Sequence, residues 1–186
     1  MKARHLQHLY LRAGFGISYD QKKALEKKST KTIVANLFKD SETFTRVKLD
    51  LKAIYQYRKE NSSKSVSKEE KKKAQMRLAQ MNRQKTQELN QLWIHNLENS
   101  EAILREKMTL FWANVFVCKD NRILDGLRYH NTLRKHALGN FGDFVKAIAK
   151  QPSMSKYLNN KQNRKQSPNE NFARELMELF TLGVGN

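Results

Sequence analysis

The sequence predicts an all-α fold, an irregular multi-helix bundle with one long basic helix over about 68–98, and three observations carry that expectation. Glycine and proline number only 7 and 2, too few turns for a many-stranded sandwich. Glutamine, lysine, leucine and alanine fill the chain, and these residues lose little on entering a helix. Apolar residues recur three and four apart, with no fixed-period repeat and no defensible strand run. At 186 residues the chain reads as one helical domain. Its expected divisions are N-terminal helices over 1–60, a linker over 61–67, the long basic helix over 68–98 and a helical core over 101–182.

Leu6, Leu9, Tyr10 and Ala13 fall on one helical face, and Gly14 and Gly16 end that segment. Ser18 and Gln21 stand at capping-box spacing ahead of Ala24 and Leu25. A third short helix carries Ile33, Val34, Leu37 and Phe38; Phe44, Val47, Leu51, Ile54 and Tyr55 then trace another apolar stripe. "NSSKSVS" is linker-like. The segment after it, as far as Ser100, contains neither glycine nor proline and reads as one helix. Its first half offers only Met76, Leu78 and Met81 for packing, against Leu89, Leu92, Trp93 and Leu97 in the second. The first half is therefore expected to project into solvent or to pack on another chain.

"REKMTLFWANVFVC" is apolar nearly all round from Met108 to Cys118, which predicts a helix buried on most sides. Leu104, Met108, Phe111 and Val115 are its expected central seam. Three short helices follow. Gly139 closes the first, Asn140 and Asp143 cap the second, and Pro152 opens the third.

Lys and Arg number 36 against 18 Asp and Glu, a formal charge of +18 that attracts nucleic acid, anionic lipid or any polyanion whatever the fold. The alternative is a solvated surface, or a charge balanced by acidic segments elsewhere, because no nucleic-acid module accompanies it. Cys118 is the one cysteine, so no internal disulfide forms, and its apolar setting reads as a buried, inert thiol. The N-terminus lacks an apolar leader segment and no run of 18 apolar residues occurs. No membrane span is expected, and the expected compartment is the cytoplasm. No Gly-rich phosphate loop, nucleophile elbow, HExxH or CxxC is present. His130 and His136 are six apart and share no face, so they read as structural or surface residues and no metal is expected.

"HLYLRAGFG", "REKMTLFW", "HNTLRKHALGNF" and "NRKQSPNENFARELMELFTLG" occur in that order along the chain. Together they resemble the bacterial family called domain of unknown function 1800 (DUF1800), over essentially the whole length. The resemblance implies an α-helical protein and no known activity. It also implies an N-terminal portion and an incomplete domain, since members continue past "LGVGN" with a Tyr-Thr-Glu-containing segment and further helices. Many members carry histidine after the tryptophan of "FW", where this chain has Ala113, so a histidine-based site does not transfer. Many are exported with a signal peptide, which this sequence lacks. Family genes often sit beside genes for sulfatase-like or phosphatase-like proteins, which implies a protein partner of that type.

"SPNENFARELMELFTLG", 167–183, reads as a complete helix: Ser167 and Glu170 at capping-box spacing, Pro168 in the first turn, Gly183 as the stop. At 100° per residue, Phe172, Leu176, Leu179 and Phe180 form its apolar face. Glu170, Arg174 and Glu178 lie opposite as a surface ladder, while Asn171 and Glu175 sit at the border. A border carboxylate is bound by another element or faces a cleft, and Glu175 is open to three readings: a salt bridge, a metal or substrate ligand, or a solvated position. Asn159, Asn163, Asn169, Asn171, Arg174, Glu175 and Glu178 are the candidate polar site. The functional expectation is a ligand-binding or hydrolytic site completed by C-terminal helices. The alternatives are a non-enzymatic scaffold that docks a partner, and polyanion binding by the basic surface.

Overall fold

The computed structural model describes residues 2–62, 67–168, 170–178 and 180–183. Among them are ten α-helices: α1 (Ala3–Ala13), α2 (Tyr19–Leu25), α3 (Thr30–Asp40), α4 (Lys52–Ser62), α5 (Lys68–Asn99), α6 (Ile103–Val115), α7 (Ile123–His136), α8 (Phe141–Ala149), α9 (Pro152–Tyr157) and α10 (Asn171–Glu178). A 3-10 turn, Asn160–Gln162, follows α9. The described residues form no β-strand beyond one isolated bridge between Arg164 and Ser167.

Helix starts follow side-chain chemistry. Ser18 accepts the Gln21 N–H and Gln21 accepts the Ser18 N–H, closing the capping box of α2. Ser67 and Glu70 do the same for α5, and Asn140 accepts the Asp143 N–H at 3.1 Å to start α8. Pro152 opens α9, where its missing N–H leaves no orphan donor. These starts fall where the sequence predicts them. At the end of α1, Gly14 passes so close to α6 that a Cβ there would meet Ile103 Cδ1 at 3.0 Å. Gly16, at φ +125°, adopts a backbone that other residues rarely do.

Four expectations change. The stripe from Phe44 to Tyr55 is helical only from Lys52; residues 43–51 form a strap outside any helix. Its backbone is taken by side chains of α7: Asn131 accepts the Val47 N–H at 2.8 Å and donates to the Val47 carbonyl at 3.0 Å. Asn61 and Ser62 of the expected linker end α4, Ser67 caps α5, and 63–66 lie outside the described residues. The first half of α5 is largely exposed, but its packed side lies on α4 of the same chain, where Tyr57 donates to the Ala74 carbonyl and Arg77 covers the Tyr57 ring. On α6 the expected seam turns outward at Phe111, which is 50% exposed, and the buried line runs through Arg105, Glu106 and Thr109 to Phe116. Two charged residues win that position because partners on α7 and at Ser41 and Glu42, just after α3, bond them there.

Two apolar clusters hold the helices. Phe116, Tyr129, Leu133, Phe144, Ile148, Met154, Leu158 and Phe180 form the larger, with Trp112, Phe172 and Leu176 packed on it. Rings meet edge-on and tilted, as at Phe116–Phe144 (5.1 Å) and Phe116–Phe180 (5.8 Å). Phe172 and Leu176 of α10 thus find apolar partners in this chain. Leu51, Ile54, Leu89 and Ile123 form the smaller cluster, which joins the strap, α4, α5 and α7. Cys118 is half-buried at the edge of the larger cluster, and burial pushes its thiol up to about 11, which keeps it unreactive.

His130 is buried against the edge of Trp93, with ring centroids 4.7 Å apart, and its Nε2 has no hydrogen-bond partner among the described residues. Burial, aided by the Arg134 charge, lowers its pKa to about 3, so the folded protein holds it neutral. The unfolded chain takes up this proton at about pH 6.5, well before the folded one does. Stability therefore falls as pH drops from about 6.5 toward 3, by about 3 kcal/mol at about pH 4.5. Urea melts of the parent from pH 7 to 4.5 should show that slope, and His130→Leu should flatten it.

Candidate functional site

The expected polar site gathers only in part. Arg174 lies at its centre, donating to Asn171 Oδ1 at 2.8 Å, Glu175 Oε1 at 3.1 Å and Glu178 Oε2 at 3.4 Å. All four side chains belong to α10, and Arg174 is half exposed. Spacing of one, three and four residues on a single short helix is what allows the contacts. Asn159 and Asn163 flank the 3-10 turn on the surface, with Asn159 in the left-handed region at φ 55°. Asn169 lies outside the described residues. For Glu175 the structure gives the salt-bridge reading, made to its own neighbour.

The expected capping box of α10 is displaced. The helix begins at Asn171, and Ser167 instead faces Arg164 in the isolated bridge, its N–H 3.0 Å from the Arg164 carbonyl. The Arg174 N–H bonds the Glu170 carbonyl, which makes Glu170 the first turn's acceptor. At the other end α10 stops at Glu178, earlier than Gly183 predicts; the Leu182 N–H returns to the Met177 carbonyl and Gly183 turns with φ 89°.

The best-ordered charges are elsewhere, and sequence reading passed them over. Glu106 is 0% exposed and is gripped by Arg134 through Nε and the adjacent guanidinium nitrogen. Arg134 also donates to the Thr45 carbonyl at 2.6 Å. Arg105, next to Glu106 on α6, donates to the carbonyls of Ser41 (2.9 Å), Glu42 (3.1 Å) and Arg134 (2.6 Å). Both guanidinium groups lie over the Phe44 ring, at 6.0 and 5.8 Å. Burial and the nearby Arg134 lower the Arg105 pKa against the opposing pull of Glu106. The one signal in the sequence is the stripe Arg105, Thr109, Trp112, Phe116, helical in period but charged at its head.

A second knot joins α7 and α9 to the turn before α7. Lys156 donates to Asp120 at 3.0 Å and Asp125 at 2.7 Å, Ser153 donates to Asp120 at 2.9 Å, and Arg122 pairs with Asp125. Burial raises the Asp120 carboxyl, but the Arg122 N–H, Lys156 and Ser153 outweigh it and leave the pKa low. Ser153 and Lys156 sit three apart, yet Ser153 is fully buried and Lys156 is spent on two carboxylates. These are ties between helices.

The described residues also enclose an open groove of about 940 Å³ between the strap, α4 and α7. Leu49, Leu124 and Leu127 supply its apolar lining, and Arg46, Lys48, Lys52, Arg128 and Lys135 its charge, with Asp50 the one acid. None of the five cations forms an ion pair among the described residues. Among those residues no group of three or more His, Cys, Asp or Glu stands ready to hold a metal, and no helix is long and apolar enough to cross a membrane. Ala113, at the position where the resemblance implies histidine in many members, packs against the larger aromatic cluster.

A family model described as "Protein of unknown function (DUF1800)" matches residues 8–186. No curated protein and no solved structure matches the chain.

Arg174 is half exposed and pairs with both Glu175, whose side chain is 19% exposed, and Glu178, at 39%, so solvent screens the cation they share and removing either carboxylate should cost little. Glu175→Ala and Glu178→Ala are each expected to lose under about 1 kcal/mol. Thermal melts with and without added divalent metal check this: a large loss confined to Glu175→Ala, or a metal-dependent gain that it abolishes, contradicts the surface-pair assignment.

Proposed function

We propose that this chain, which belongs to the family described as protein of unknown function (DUF1800), is a non-enzymatic helical scaffold that docks an anionic partner on its basic surface. One observation carries the reading. The polar residues of α10 that resemble a reactive cluster are engaged with one another through Arg174 on the outside of the helix. A reaction centre needs groups that converge on a common point in a recess, and these converge on a half-exposed guanidinium. The buried charges elsewhere, Glu106 with Arg134 and Asp120 with Lys156, hold elements together.

The formal +18, with groove cations that form no ion pair among the described residues, supplies the attraction for an anionic partner. A sulfatase-like or phosphatase-like protein, implied by the family resemblance, is a partner this reading accommodates through an acidic face. The reading holds for whichever compartment the protein occupies.

Heparin titrated into the 186-residue chain tests it. Affinity should fall about a hundredfold between roughly 50 and 200 mM salt if about four anionic groups are neutralised. A salt-independent affinity contradicts charge-driven docking. Turnover of nitrophenyl esters or phosphates that Glu175→Ala abolishes and Glu178→Ala spares would instead establish the hydrolytic reading.

A further inference from the structure

We infer that the groove between the strap and α7 binds a free single-chain amphiphile, an alkyl chain that ends in an anionic head. The inference goes beyond the scaffold reading, which needs only charge, and stands or falls separately from it.

The groove has two unlike ends, and the ties between strap and α7 fix which is which. Arg134 donates to the Thr45 carbonyl and Asn131 bonds Val47, while Leu51 shares an apolar cluster with Ile123. The strap therefore runs antiparallel to α7. On α7 the groove is lined by Leu124, Leu127, Arg128, Asn131, Thr132 and Lys135, a spacing of three and four residues that keeps to one helix face. From Leu124 to Lys135 that face is about 16 Å long. Its start is apolar: Leu124 and Leu127 are half-buried on the smaller cluster together with Leu49 of the strap. Its remainder is cationic, with Arg128 and Lys135 exposed on α7 and Arg46 and Lys48 exposed on the strap. None of these four cations forms an ion pair among the described residues. Asp50, the one acid of the lining, belongs to the apolar end, between Leu49 and Leu51. There it accepts the Lys52 N–H at 3.0 Å, so the formal charges of that end cancel while those of the other end do not.

Apolar surface and charge are thus separated along the length of the groove. A protein segment laid along it would need apolar and acidic side chains in separate blocks, and a nucleotide would need an open ring for its base to stack on. The Phe44 ring already lies under the guanidinium groups of Arg105 and Arg134, and Tyr55 belongs to α4, at the neutral end. A ligand whose own charge sits at one end of an apolar chain matches the separation directly. Its methylenes cover the leucines, and its head meets Arg46, Arg128 and Lys135. The groove's volume, about 940 Å³, accommodates such a molecule.

Isothermal titration calorimetry tests this with the full 186-residue chain and dodecyl phosphate held below its micelle concentration. A single molecule should bind per chain. Octyl phosphate should bind about tenfold more weakly, and inorganic phosphate or dodecyltrimethylammonium at least about a hundredfold more weakly. Arg46→Gln with Lys135→Gln should weaken dodecyl phosphate binding about tenfold. Lys71→Gln with Lys72→Gln on α5, an equal loss of charge, should change it less than about threefold. Equal affinity for the octyl and dodecyl chains, equal weakening by the two double variants, or several molecules bound per chain overturns the inference. So does binding to phosphatidylglycerol vesicles without binding of the monomer, which would make the groove a membrane contact. Heparin binding that persists through any of these failures leaves the scaffold reading standing; its absence removes that reading and leaves dodecyl phosphate binding untouched.

Discussion

A carboxylate with no solvent contact is the constraint around which this fold is arranged. Glu106 lies inside the protein, and an isolated charge there costs several kcal/mol, so the chain must bring it a cation and hold that cation in place. Arg134 on α7 does so, and its remaining donor reaches the Thr45 carbonyl. Arg105 fastens the same region from α6 by donating to Ser41, Glu42 and the end of α7. Two helices and the chain segment after α3 are thereby locked in one relative position. The pair is not a large net source of stability, since desolvation consumes much of its Coulomb attraction. Its effect is specificity: arrangements that separate the partners leave a buried charge exposed to nothing.

The same constraint shapes the surface. Arg134 and Asn131 grip Thr45 and Val47 from α7, and the segment from 43 to 51 stays outside α4. Asp50 then accepts the Lys52 N–H at 3.0 Å and starts α4 where the strap ends. Arg46 and Lys48 of the strap line the groove together with Leu124 and Leu127 of α7. The groove is therefore a consequence of the way the core is latched. The smaller apolar cluster backs it, with Val47 and Leu49 packed on Leu51, Ile54, Leu89 and Ile123.

Legibility in the sequence divides along the range of the interactions. Ser18–Gln21, Asn140–Asp143 and Pro152 were readable because a cap is settled within four residues. The face Phe172–Leu176–Phe180 was readable because helical periodicity alone selects it. The seam of α6 was not: hydrophobicity favours Phe111, but the buried positions went to Arg105 and Glu106 because their partners stand 28 or more residues away. The strap carried a local signal, the alternation in "VKLDL", which a helical stripe through the same residues hid. The candidate polar site was half legible. Spacing foretold that Arg174 would meet Glu178, while no sequence rule says whether such a ladder faces a cleft or solvent.

The most direct measurement is a double-mutant cycle in chemical denaturation on Glu106→Gln, Arg134→Met and the pair combined. A fold latched by this contact predicts that each single change costs about 3–5 kcal/mol, because it strands the other partner, and that the double variant loses much less than the sum of the two single losses. Single losses below about 1 kcal/mol that simply add would contradict it, since exposed and independent charges behave that way.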